Sequence, residues 1–421
     1  MKYLFSIIVL WLASPMLWAQ YFDYNRSFRY DFQLTGDEHQ TFVFPIQMKE
    51  EPFYGGSKTQ HIMPLYGDFL FQLSDPETSQ VVFSKGFNSL YGEWLYSRKP
   101  NEKQLFYHAI QTPFPLKELT LSISQRQRDG QFKMVHSEKI SPDNYFIKKE
   151  KTTPYPIKKI LYNGDATHKV DIAVIAEGYT ASELEKFYAD TQRMIDYLFT
   201  IPPYNRFKNH FNIYAIGAFS EESGTDIPGK NIYKNTILNS SFYTFDMERY
   251  LTPHNVSTIA DIASLVPYDQ IFVLANTAQY GGAGFYNHLN VGTADHPSSL
   301  EVFVHEFGHG FVGLADEYYS SDTAFDSIYN LEIEPWEPNI TTLVDFDKKW
   351  KTMLHKKTPI PTPRTAKYKN TLGVFEGGGY VAKGIYSPVQ DCRMKTNEAK
   401  GFCPVCSNAI EETINFYVSE K

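Results

Sequence analysis

His305-Glu306-Phe307-Gly308-His309 constrains this chain more than any other stretch, because it asks for a helix with two imidazoles on one face. Side chains at i and i+4 of a helix lie one above the other. Two neutral imidazoles so placed are good ligands for Zn²⁺. A carboxylate next to the first can serve as general base to a water on the metal, and Glu306 holds that place. The flanks read as helix. Ser298 and Glu301 have the spacing of a capping box ahead of the apolar run Leu300, Val302, Phe303 and Val304. Gly313 stands where a left-handed residue would end the helix. Asp316 comes just after and can supply an oxygen. Three protein ligands leave a fourth position for water, the arrangement of a catalytic rather than a structural zinc.

A chain of 421 residues is too long for one ordinary domain, so two are expected. Lys2, the apolar run Leu4 to Ala13 and the Trp18-Ala19 step read as a signal peptide over residues 1–19. The protein is therefore expected to be exported, to the periplasm, the cell surface or the medium. No later segment is long and apolar enough to span a membrane. The net charge of −8, with acids and bases interspersed, leaves no basic stripe for nucleic acid. Cysteine occurs only at 392, 403 and 406, too few for a four-cysteine zinc knuckle. In an oxidising compartment one disulfide is expected. It should include Cys392, because a Cys403–Cys406 bridge closes a very short loop and stabilises little.

Residues 20–150 read as an antiparallel β-sandwich. Leu119, Leu121 and Ile123 alternate with polar residues, Asp129-Gly130 turns into a strand over 131–136, and Thr41 to Ile46 and Asp68 to Leu73 look alike. The polar, proline-bearing stretch Lys148 to Pro156 is the linker candidate. A second domain over 160–421 mixes strands and helices. Strands are expected at Val170 to Ala176, Phe211 to Ala218 and Ile271 to Ala275, with an extended edge over Phe285 to Val291. Helices are expected after the Thr180/Glu183 cap, over Thr258 to Leu265 and over Val405 to Tyr417. The fold class is thus α+β. Gly377-Gly378-Gly379 serves equally as a surface turn or a cleft lining.

Several stretches together resemble the IgA-peptidase-type family of zinc metallopeptidases, whose site is metzincin-like. They are Val304 to His309 with Gly313 to Tyr318, Ala176 to Tyr179, Tyr280 to Gly282, Phe375 to Tyr380, Cys392-Arg393-Met394, and Phe402 to Cys406. The resemblance implies a metzincin-like zinc peptidase domain with a mixed sheet, an active-site helix, a methionine turn at Met394 and a C-terminal helix. It also implies an accessory domain in front. By the same resemblance His305, His309 and Asp316 bind zinc and Glu306 is the catalytic base. Gly313 and Asp316 each stand one position later than is usual in metzincins, so Glu317 is a rival third ligand. Thr396 stands where some metzincins carry a tyrosine, which leaves Tyr318, Tyr319 and Tyr380 as candidates to stabilise the oxyanion.

The function expected is a secreted, zinc-dependent endopeptidase acting on extracellular proteins, immunoglobulin or glycoprotein among them. The glycine-rich edge at Gly281 to Gly284 can accept a peptide as an added strand. Two other readings share the motif. One is a glycoprotein- or glycan-binding protein whose peptidase-like domain is inactive, which the intact Glu306 speaks against. The other is a zinc amidase on cell-wall peptides.

Overall fold

The chain's first folded unit is built from apolar–polar alternation broken by short turns. The structure, a computed structural model, describes residues 21–37, 39–57, 60–97, 102–319 and 328–418, so the expected signal peptide lies outside the described residues. Strands β1 (Phe22–Gly36), β2 (Thr41–Glu51), β3 (Phe69–Ser74), β4 (Val81–Phe87), β5 (Phe106–Pro115), β6 (Leu119–Arg126), β7 (Phe132–Ile140) and β8 (Ile147–Lys148) make two four-stranded sheets. Their orders are β5-β1-β2-β8 and β4-β3-β6-β7. The neighbours run antiparallel except β2 and β8. Phe28, Phe32, Phe71, Leu121 and Ile123 are fully buried in a core that both sheets share. Helix α1 (Leu90–Ser97) was not expected. Eight residues are too few to show a helical period, and α1 is held by Tyr91 and Trp94 packing on Phe106.

Residues 149–156 form no element. Strands β9 (Ile157–Leu161), β10 (Val170–Glu177), β11 (Phe211–Ile216), the two-residue β12 (Ser240–Ser241) and β13 (Thr252–Pro253), β14 (Gln270–Ala275), β15 (Gly282–Phe285) and β16 (Leu289–Thr293) follow. Six of them form a sheet ordered β15-β16-β14-β10-β11-β9. Its four inner strands are parallel and both edges antiparallel. Every residue of β10, β11 and β14 is buried, which is why these strands read as unbroken apolar runs. Helices α2 (Leu184–Leu198), α3 (Tyr204–Phe207), α4 (Val256–Ala263), α5 (Ser299–Phe307) and α6 (Pro404–Val418) complete the layers. Ile172 and Val174 pack towards α2, α5 and α6, whereas Ala173 and Ile175 pack towards α4. The hairpin of β17 (Phe375–Gly378) and β18 (Val381–Ser387) belongs to an otherwise irregular lower part.

Two local expectations are corrected. Phe285 to Val291 is not one strand: Asn287 takes a left-handed backbone at φ +52° and turns the chain between β15 and β16. The Thr180/Glu183 capping box forms, with Glu183 accepting from the Thr180 N–H at 2.9 Å. The Ser298/Glu301 box does not. Ser298 lacks the extended backbone a cap needs (φ −96°, ψ 13°), and Glu301 instead accepts from the Tyr197 hydroxyl at 3.2 Å. Among the described residues no helix is long and apolar enough to cross a membrane.

A buried charge network joins the two units. The Arg29 guanidinium, 0% exposed, donates to Asp31 at 2.8 and 2.9 Å and to Glu51 at 2.7 Å. It also reaches Asp261 of α4 at 2.7 Å, where Lys49 arrives at 2.6 Å. Replacing Arg29 by Met leaves two buried carboxylates without their counter-charge, at an expected cost of about 3–5 kcal/mol. Denaturant unfolding of Arg29→Met should show that loss; an unchanged midpoint would mean the network contributes nothing.

Candidate active site

The site forms where α5 loosens. After Phe307 the helix widens into a π turn over Gly308–Val312, and Gly313 ends it at φ +74°. Such a turn inside a helix is rare and is found mostly at functional sites. Two glycines make room for what lies beneath. A Cβ on Gly308 would sit 2.8 Å from the sulfur of Met394, and one on Gly310 would sit 2.0 Å from Asn290 Oδ1. Met394 is fully buried under the helix.

His305 and His309 are turned by backbone carbonyls. His305 Nδ1–H donates to the Arg393 carbonyl at 2.9 Å and His309 Nδ1–H to that of Leu314 at 2.6 Å. A carbonyl only accepts, so each Nδ1 carries its proton and each Nε2 lone pair points inward. The two Nε2 atoms stand 3.0 Å apart. Asp316 Oδ1 lies 3.1 Å from one and 3.4 Å from the other. Asp316 is 5% exposed, its Oδ1 takes no hydrogen bond from other described residues, and its Oδ2 accepts from the Tyr380 hydroxyl. Three donor atoms this close favour positive charge among them, a shared proton or a metal ion. Nitrogen and oxygen ligands at about 2.0–2.1 Å from a tetrahedral zinc stand about 3.3–3.4 Å apart, so the donor set and its spacing fit.

The field of the site points the same way. Burial alone would lower the basicity of His309, but the Asp316 carboxylate beside it outweighs this and raises its pKa to about 9. Asp316 is held well below the usual carboxylate range by the same imidazoles, against its burial. Burial pushes Glu306 up, with the imidazoles opposing. A carboxylate oxygen of Glu306 lies within 4.8 Å of both imidazoles.

Asp316 and Glu317 part company. Past Gly313 the chain forms no helix or strand, and the two neighbouring acids meet different partners. Asp316 meets the histidines. Glu317, 0% exposed, turns to the other side, where Asn339 Nδ2 donates to it at 3.1 Å and the Cys406 sulfur lies 3.2 Å away. The expected disulfide is absent: all three cysteines are unbridged, with Cys392 Sγ and Cys406 Sγ 3.8 Å apart. The glycine run leads into the β17–β18 hairpin turn, where it is buried against the segment carrying Asp316 rather than exposed at the surface. Gly379 N–H donates to the Asp316 carbonyl at 2.8 Å and Tyr380 N–H to that of Tyr318 at 2.9 Å.

His305, Glu306, His309 and Asp316 lie at the floor of a cleft of about 1250 Å³. Edge strand β15 runs along it, and glycine lets α5 come this close. A Cβ on Gly284 would sit 2.4 Å from the Glu306 carbonyl, and one on Gly282 would sit 2.7 Å from Glu306 Oε1. Tyr318 and Tyr380 line the cleft with rings 5.2 Å apart, and burial keeps both phenols protonated. Tyr319 is not among the lining residues; it packs on Gly377 and under Arg364. Sequence reasoning missed Arg249, whose guanidinium lies 5.9 Å from the Tyr318 ring, and Tyr250, whose hydroxyl donates to Glu93. The first unit supplies the facing wall, including Asp68, Glu93 and Tyr96.

This chain belongs to a family of peptidases. Residues 158–370 and 364–414 match the family model described as IgA Peptidase M64, and residues 18–137 match the one described as Peptidase M64 N-terminus. A comparison with curated proteins found no match.

The contact between β15 and α5 carries a prediction. Gly284→Ala forces a methyl group into the Glu306 backbone, which has no free end to swing aside. A destabilisation of about 1–3 kcal/mol is expected, with a lower metal content. Thermal unfolding and elemental analysis test it, and wild-type values in both would remove the contact from the account.

Proposed function

We propose that the chain is an exported, zinc-dependent endopeptidase that cuts polypeptides lying along β15. Immunoglobulin or another glycoprotein is the substrate class that the family's name suggests. The observation that carries this reading is the meeting of two inward Nε2 lone pairs with a buried carboxylate oxygen at the floor of an open cleft, beside a carboxylate whose proton affinity burial has raised. His305, His309 and Asp316 would hold the zinc. When bound, it would supply a Lewis acid that polarises the scissile carbonyl and makes its water acidic.

The chain's own groups do the rest. The edge of β15 past Gly282, where Tyr250 bridges to it, would offer main-chain hydrogen bonds to align an extended peptide. Glu306 accepts the proton of the attacking water as the carbon–oxygen bond forms. It then gives that proton to the amine nitrogen as the carbon–nitrogen bond breaks. Tyr380 is committed to Asp316 and steadies its orientation. Tyr318, which shares a hydrogen bond with Tyr380, keeps its proton and would turn it to the oxygen that gains charge.

Glu306→Gln should keep the metal while lowering kcat by about 10²–10⁴-fold, since it removes a base and not a ligand. Loss of metal, or cleavage at the wild-type rate, would reverse that role. Asp316→Ala should lose the chelator-accessible zinc, whereas Glu317→Gln should keep it; counting the zinc that 1,10-phenanthroline removes from each variant decides between the two acids. Tyr318→Phe should lower kcat by about 10²–10³-fold with KM nearly unchanged. A digest of an unbiased peptide library, read by mass spectrometry with and without 1,10-phenanthroline, would identify the bonds cut. No cleavage in either arm would count against the peptidase reading of this chain.

A further inference from the structure

On the far side of the Asp316 segment lies a second cluster of donors that the peptidase chemistry does not use. Glu317, Cys392, Cys403 and Cys406 offer ligand atoms that all lie within 4.8 Å of one another. Their exposures are 0, 1, 5 and 0%, so the cluster is closed to solvent. None of the thiols is bridged. Glu317 Oε2 is buried and accepts no hydrogen bond from any described residue. A carboxylate set among three sulfurs with one oxygen unanswered is costly unless something positive shares the space.

We propose that Glu317, Cys392, Cys403 and Cys406 hold a second, structural Zn²⁺, separate from the one at the histidines. The spacing fits. Thiolates at about 2.3 Å from a tetrahedral zinc stand about 3.8 Å apart, and a thiolate and a carboxylate oxygen about 3.5 Å apart. Cys392 Sγ and Cys406 Sγ are 3.8 Å apart, and Cys406 Sγ is 3.2 Å from Glu317 Oε1. Four closed positions mark a structural rather than a catalytic ion. Soft thiolates select zinc over magnesium or calcium.

The protein also meets the excess negative charge of such a centre. Cys403 N–H donates to the Cys392 sulfur at 3.2 Å, and Cys406 N–H to the Cys403 sulfur at 3.5 Å. Asn339 Nδ2 donates to Glu317 Oε1 at 3.1 Å. Cys403 and Cys406 stand at the N-terminal end of the fifteen-residue α6, where the helix favours thiolates. The ion would tie three segments together: the one carrying Asp316, the turn carrying Met394, and α6.

The inference is independent of the peptidase reading, and its test does not use activity. Zinc is counted by elemental analysis in the purified full chain and in a His305→Ala/His309→Ala chain. Two ions per wild-type chain and one in the double variant are expected. Titrating the double variant with p-hydroxymercuribenzoate should release that remaining ion as three thiols react. Co²⁺ replacing it should give thiolate-to-cobalt charge-transfer absorption in the near ultraviolet, lost in Cys392→Ser. Should Cys392→Ser fail to fold, the mercurial titration decides by itself, since it leaves the thiols as they are. Three thiols that react with no release of zinc would overturn the proposal. So would a non-reduced mass two hydrogens below that of the reduced chain, which marks a disulfide. A single wild-type ion that survives loss of both histidines and leaves with the mercurial would support this site and count against the histidine one.

Discussion

The groups around the candidate active site serve one close arrangement, two imidazole Nε2 atoms and a carboxylate oxygen held within 3.4 Å of each other. Left free, the three groups would turn apart. They cannot, because each is anchored from behind. The carbonyls of Arg393 and Leu314 fix the rings, and the Tyr380 hydroxyl fixes the carboxylate. Those anchors come from the turn carrying Met394, the chain just past the helix stop, and the β17–β18 hairpin. The distant parts of the unit thus converge on the three atoms, and a cation bound among them would gain what the fold has already spent on ordering them.

Part of this was legible in the sequence because it obeys local rules. The His-x-x-x-His spacing, the left-handed Gly313 and the Thr180/Glu183 cap depend only on residues within a turn or two of each other. The buried strands β10, β11 and β14 announced themselves as apolar runs. What was not legible depends on tertiary placement. Ser298 and Glu301 have capping spacing, but Tyr197 of α2 takes the carboxylate first. The sequence favours Asp316 over its rival Glu317, and only the fold shows that Asp316 meets the histidines while Glu317 meets Asn339 and the thiols. Arg249 and Tyr250 come from a stretch with no motif and reach the cleft because Tyr250 bridges to Gly282. The cysteine count pointed to a disulfide because it considered sulfur alone. Glu317 lies far from the cysteines in sequence and becomes their neighbour only in the fold.

The β-rich first unit is more than an appendage to the peptidase domain. Asn287 of the β15–β16 turn donates to the Gly86 carbonyl at 2.9 Å, and Asn88 N–H donates to that of Tyr286 at 2.9 Å. Trp336 Nε1–H reaches Asp68 at 3.3 Å, and its ring lies 5.9 Å from that of Tyr66. These bonds hold the end of the edge strand along which a peptide would lie. The buried Arg29 network does the same for α4 on the other face of the sheet. The shape of the cleft is therefore set jointly, and side chains of both units face whatever occupies it.

The two adjacent acids suggest why residues 314–317 are irregular yet buried. A strand or helix in place of residues 314–318 would bring its own ladder of partners. An isolated irregular segment can instead be gripped on each side by different chemistry. Asp316 is held by the imidazoles and Tyr380, and Glu317 by Asn339 and the thiols. Between them, Glu317 N–H donates to the Met394 carbonyl at 2.7 Å. That bond joins the segment directly to the residue lying under Gly308, so a displacement on the thiol side reaches the floor of the histidine site through a single hydrogen bond. On the proposed reading, order at the histidine site would lean on a closed cluster that no substrate touches, through a short loop without regular structure.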